Sequence, residues 1–136
     1  MPGAGDCFWI ETSYGEDGTA VGHLLVIILD PEEYTKNTIV IPIDTFRSNK
    51  QDQTTILNPG DHEFIKAKSF LNYNRARILS IVTIEGLIKE GRAKIKPAMK
   101  PDILAKIVDG LRKSEHTPQE VLTLYGYYMM RRIRKT

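Results

Sequence analysis

The sequence predicts an α+β domain, a small antiparallel β-barrel of about five to seven strands followed by C-terminal helices. Two observations carry this. Up to residue 96, short β-branched and aromatic runs alternate with Gly, Pro, Asn and Asp turns, as strands do. After residue 97 the apolar residues recur at helical spacing instead. The order is strands and then helices, without the regular alternation that builds a parallel sheet. A chain of 136 residues suffices for one domain with a modest core. It divides into a barrel over 5–96, a helical extension over 97–130 and a basic tail over 131–136.

The first strand is Cys7–Glu11, after a glycine-rich entry. Tyr14-Gly15-Glu16-Asp17-Gly18 reads as a turn, with two glycines available for positive φ. His23–Leu29 is a near-continuous apolar run between Gly22 and Asp30-Pro31, which fits a central strand buried on both faces. Asn37–Ile43 is a third strand, with Pro42 marking its end. After the polar loop 48–54 come Thr55–Leu57, the turn Asn58-Pro59-Gly60-Asp61, the apolar pair Phe64-Ile65, and strands at Ala67–Leu71 and Ala76–Ile81. Thr83–Lys89 reads as a short helix stopped by Gly91, and Ala93–Lys96 as an edge strand. Pro101 opens a helix carrying Ile103, Leu104, Ile107, Val108 and Leu111. Thr117-Pro118-Gln119-Glu120 is a capping box that opens the last one. Residues 131–135 hold four cations beyond the last apolar helical position, so a mobile tail with little to pack against is expected there.

Composition narrows the class. Hydrophobic residues make up 41% and charged residues 26%, a globular balance rather than a disordered one. The longest apolar run, Leu24–Leu29, is too short to span a bilayer, and the N-terminus lacks the basic and apolar regions of a secretory signal. The single cysteine, Cys7, excludes an intramolecular disulfide and any multi-cysteine zinc site, which points to a reducing cytoplasm. Net charge is only +2 but is unevenly spread. Residues 1–91 hold 8 Lys and Arg against 13 Asp and Glu, and residues 92–136 hold 11 against 4. Such asymmetry fits either an anionic partner for the C-terminal third or a solvated helix face.

No glycine-rich phosphate loop, zinc-finger spacing or nucleophile elbow is present, and no cofactor or metal site is expected. Polar residues at strand ends remain. His23 opens the most apolar strand and is either a general acid or base or a histidine bonded to the backbone. His62 follows the Pro59-Gly60-Asp61 turn, and His116 beside the helix cap reads as solvated. In the segment 66–77, Lys66, Lys68 and Arg75 interleave with Phe70 and Tyr73, a pattern suited to single-stranded nucleic acid. The plain alternative puts both rings in the core. Thr45 and Arg47, just beyond Pro42, are placed to bind a phosphate or to cap a turn.

The run Gly5-Asp6-Cys7-Phe8-Trp9, then Gly22-His23-Leu24-Leu25-Val26-Ile27, then Ile39-Val40-Ile41-Pro42-Ile43-Asp44-Thr45 resembles the MazF/PemK toxin superfamily. Gly60-Asp61-His62-Glu63-Phe64-Ile65 and Ser69-Phe70-Leu71-Asn72-Tyr73 are similar to a divergent PemK-like branch. The resemblance covers residues 5–96. It implies an SH3-like barrel and the toxin of a toxin–antitoxin module: a metal-independent endoribonuclease, a homodimer, neutralised by a cognate antitoxin. His23-Leu24 stands where the family has arginine and proline, and Thr45 takes the place of the family's hydroxyl.

Metal-free cleavage of RNA needs a base for the 2′-hydroxyl, an acid for the leaving 5′-oxygen and a cation for the phosphorane. His23 and His62 are the expected acid–base pair, with Thr45 and Ser69 positioning the phosphate. Arg47, Lys66, Lys68, Tyr73 and Arg75 are the expected RNA contacts. Two other classes fit the same residues: a non-catalytic nucleic-acid-binding barrel, and a protein-interaction domain that docks through its C-terminal helices.

Overall fold

The computed structural model describes residues 2–14 and 20–135, so the turn predicted at 14–18 lies, apart from Tyr14, outside the described residues. The strands are β1 (Cys7–Tyr14), β2 (Ala20–Ile27), β3 (Asn37–Thr45), β4 (Ile56–Leu57), β5 (Ser69–Leu71), β6 (Arg77–Ser80) and β7 (Ala93–Lys96). The helices are α1 (Ile81–Lys89), α2 (Pro101–Lys113) and α3 (Gln119–Lys135), and a 3₁₀ turn covers Tyr73–Arg75. The α+β class and the antiparallel pairing agree with the expectation. The apolar pair Phe64-Ile65 lies in the loop between β4 and β5. Among the described residues no helix is long and apolar enough to cross a membrane.

The closed barrel is corrected. Strand order is β4-β5-β3-β2-β1-β7, with β6 added to β3, and the end strands β4 and β7 do not pair. The reason lies in the helices. Leu24, Val26, Ile39, Ile41 and Ile43 face α2 and α3 through Ile103, Ile107, Leu111, Val121 and Tyr125. The intervening Leu25, Ile27 and Val40 face α1 through Ile81 and Ile84. Helices thus cover both sheet faces, and the sheet buries its apolar surface without rolling shut. Each fully buried Leu or Ile contributes about 1.5–3 kcal/mol, so this coverage is decisive. It also explains why β2 reads as an unbroken apolar run.

Pro42 does not end β3, which continues to Thr45. On its outer edge β3 pairs with β6 through Asn37–Val40 and with β5 through Ile43–Thr45. Pro42 lies near this change of neighbour, and its carbonyl accepts the Asn72 N–H at 2.9 Å. A residue without an N–H is tolerated where no ladder bond is required of it.

The helical ends also differ from expectation. Thr117 donates its hydroxyl to the Leu111 carbonyl (2.7 Å), linking the α2 end to the start of α3. Helix α3 runs on through 131–135, so the basic tail does not begin at 131. Arg131 Nη1 donates to Glu32 Oε1 at 3.0 Å, and its guanidinium lies 5.1 Å from the Tyr34 ring centre. Glu32 Oε2 in turn accepts the Tyr34 and Thr35 N–H groups at 2.9 and 2.6 Å. The partner that sequence spacing hid is thus 99 residues away.

Candidate functional site

His23 lies on β2 one residue before Leu24, which faces Ile43 on β3. Continuing that antiparallel register sets His23 opposite Asp44. Their side chains meet: Nδ1 is 2.8 Å from Asp44 Oδ1. Asn72, in the turn after β5, donates through Nδ2 to the other carboxylate oxygen, also at 2.8 Å. The carboxylate is thereby held at both oxygens, and it fixes the imidazole through one nitrogen. A carboxylate accepts, so Nδ1 carries the proton and a neutral ring presents Nε2 as acceptor. His23 and Asp44 retain partial solvent access, with 27% and 20% of their side chains exposed.

The pair borders a groove of about 540 Å³ where the β2–β3 pairing ends, at the C-terminal end of β3. Thr45 and Ser69 face each other across β3 and β5, and both line this groove. Ser69 is buried and donates its hydroxyl to the Ala67 carbonyl at 2.8 Å, whereas Thr45 is exposed. Arg47, Lys66 and Arg75 also border the groove, and all three are exposed. Gln51 folds the loop after β3 by accepting the Arg47 N–H at 2.6 Å. At the groove wall Trp9 and Phe64 contact each other with ring centres 5.2 Å apart. Chemically the groove offers a positioned imidazole, a free hydroxyl, three cations and an aromatic wall. Among the described residues no three His, Cys, Asp or Glu side chains gather as a metal cage would.

The structure brings together His23, Thr45, Ser69, Arg47, Lys66 and Arg75. It does not bring His62, Lys68 or Tyr73 to the groove. His62 is buried; its Nδ1 accepts the Phe64 N–H at 2.9 Å and its Nε2 donates to the Pro97 carbonyl at 2.6 Å. Both nitrogens are committed to backbone, so His62 holds the 62–65 turn against the segment leading to α2. Lys68 Nζ stands over the Phe46 ring, 4.6 Å from its centre. Tyr73 is completely buried and donates its hydroxyl to the Ile107 carbonyl at 2.7 Å. Burial pushes its phenol above the ordinary range, the Thr55 hydroxyl opposing. It is a core residue, not an RNA contact.

Sequence reasoning missed Asp44 and Asn72 as supports for His23, and the half-buried Trp9 with Phe64 as the aromatic wall. The signal for Asp44 was the β2–β3 register, which puts 23 and 44 opposite each other once any one pair is known. Comparison of the chain with protein-family models finds no match, and no curated protein matches it either.

Proposed function

We propose that the groove binds single-stranded RNA and cleaves it without a metal, by attack of a ribose 2′-hydroxyl on the adjacent phosphate. The observation that carries this reading is the His23–Asp44–Asn72 chain at 2.8 and 2.8 Å, bordering a groove with three exposed cations. Nε2 of His23 takes the 2′-hydroxyl proton, and Asp44 stabilises the imidazolium that results. Arg47, Lys66 and Arg75 balance charge on the phosphorane, and Thr45 donates a hydrogen bond to a phosphate oxygen. The 5′-oxygen leaves with a proton from water in the open groove, and the His23 imidazolium returns its proton to the hydroxide so formed, which regenerates the base. The products are a 2′,3′-cyclic phosphate and a free 5′-hydroxyl. With His62 committed elsewhere, one histidine carries the proton chemistry.

On this reading the sheet is an opened relative of the SH3-like MazF/PemK barrel, and the chain is a cytoplasmic toxin. A homodimer and a cognate antitoxin that masks the groove follow from the resemblance. The 5–96 motifs and the chemistry of the groove support the assignment.

The test is incubation of the purified chain with single-stranded RNA and with all-deoxy oligonucleotide of the same sequence, in excess chelator. RNA should be cut to cyclic-phosphate ends, identified by mass spectrometry, and the deoxy strand left whole. His23→Ala should lower the rate by about 10²–10⁴-fold. The rate should rise with pH along one limb, since one base is at work. Cleavage of the deoxy strand, or full activity in His23→Ala, would overturn the mechanism. Salt-dependent RNA binding without any cut would establish the non-catalytic barrel instead.

A further inference from the structure

A second cavity, of about 260 Å³, lies against the groove on the α1 side of the sheet. His23 and Arg75 border both. The cavity walls are apolar, formed by Phe8 and Leu25 from the sheet, Leu79 from β6 and Leu87 from α1. Arg75 and Arg77, both exposed, supply its cationic rim. We infer that this cavity is the base-recognition subsite of the enzyme, taking the nucleobase on the 5′ side of the cut. The inference rests on the ribonuclease reading of the groove.

Three features select the occupant. The volume falls below the range usual for drug-sized ligands and suits one planar ring system. The walls are hydrocarbon, as a stacked base requires, and the rim is cationic, as the attached phosphate requires. His23 fixes the register. It takes the proton from the 2′-hydroxyl of the nucleotide 5′ to the scissile phosphate, and that same ribose carries the base nearest the histidine. The rim guanidiniums are donors without acceptors. They match the carbonyl edges of guanine and uracil and leave the amino group of adenine unmatched. Arg75 spans both sites and is placed to meet the phosphate, while Arg77 borders only the cavity and reads the base.

The experiment uses the full chain and RNA oligonucleotides with a single ribonucleotide linkage in a deoxy background. The nucleotide 5′ to that linkage carries guanine, uracil, adenine or no base. Guanine or uracil should be cut roughly 10–100-fold faster, in kcat/KM, than the abasic substrate, with adenine between them, since it stacks but leaves its amino group unmatched. Arg77→Ala, an exposed change that leaves the core alone, should shrink that ratio, and Leu87→Trp, which fills the cavity, should bring it near one. If RNA is cut but the abasic nucleotide is cut as fast as guanine and uracil, the subsite is overturned and the groove reading stands. If no substrate is cut at its single ribonucleotide, and ordinary RNA is not cut either, both fall together.

Discussion

At the scale of single residues, two histidines with similar strand-border positions in the sequence have opposite roles in the fold. His23 has one nitrogen on a carboxylate and borders a groove, whereas His62 has both nitrogens on backbone and is buried. The distinction predicts opposite phenotypes. His62→Ala should lower stability by about 1–3 kcal/mol, because it removes a buried side chain and the two hydrogen bonds that tie the 62–65 turn to Pro97. Its RNA cleavage per folded molecule should stay near that of the parent. His23→Ala should keep its melting temperature and lose cleavage. Paired thermal melts and rates, normalised to the folded fraction, decide this; a stable but inactive His62→Ala would return it to the chemistry. Hydropathy made Thr45 legible as the end of β3, and it made His23 legible as the polar residue before the apolar run, although β2 itself begins at Ala20 and not at His23. Asp44 required the register, and the burial of His62 required a contact with Pro97, 35 residues away. Local pattern contains neither.

At the scale of elements, α2 packs closely because position 110 has no side chain. A Cβ on Gly110 would overlap Tyr73 Oη and Thr55 Oγ1, the two hydroxyls that bond each other at 2.8 Å beneath the helix. Alanine is the better helix former by about 1 kcal/mol, so propensity alone predicts stabilisation by Gly110→Ala. Overpacking of about 1–3 kcal/mol opposes and exceeds it. Urea melts should show net destabilisation, smaller when Tyr73→Phe removes one of the oxygens in the way. Added stability in Gly110→Ala would show that α2 can shift outward freely. A second element contact is electrostatic. The Thr35 N–H, against the opposing effect of burial, together with the Thr35 hydroxyl, the Tyr34 N–H and Arg131, holds Glu32 below the usual carboxylate range. Asp52 is also low: burial raises it, but the Ser114 hydroxyl and the Thr54 hydroxyl and N–H outweigh that. A depressed carboxylate binds fewer protons folded than unfolded, so both contributions are complete above the ordinary carboxylate range and fade as pH falls through the folded values. Arg131→Ala should therefore lower the melting temperature at neutral pH and progressively less in acid, where Glu32 is protonated in either state. An equal loss at both would mean that Arg131 acts through its contacts with the Tyr34 and Tyr127 rings and not through Glu32. Strand and helix periodicity was legible for β1 to β3 and for α2, including the switch after residue 97. Sheet closure was not, since periodicity says which face is apolar but not that helices will cover both.

At the scale of the whole molecule, one sheet separates two apolar layers, and its central strands contribute alternate side chains to each. Neither layer is complete without β1, β2 and β3, so loss of one should mean loss of the other. Cys7 is placed to report this. It sits on β1, paired with Val26 on one side and Lys96 on the other, and only 1% of it is exposed. Burial pushes its thiol up to about 12, the Met99 backbone opposing and Asp6 adding to the rise. A thiol that is both covered and kept protonated does not react as it stands, because the thiolate is the nucleophile. Reaction with an aromatic disulfide reagent at neutral pH must wait for an opening that frees β1 from both neighbours. If the two layers form one cooperative unit, that opening is global unfolding. The logarithm of the labelling rate should then rise linearly with urea from zero denaturant, with the slope of equilibrium unfolding. Labelling that is insensitive to low urea, and steepens only near the midpoint, would reveal a local release of β7 from β1. The two layers would then melt in separate steps, and the groove where the β2–β3 pairing ends would outlast the edge of the sheet.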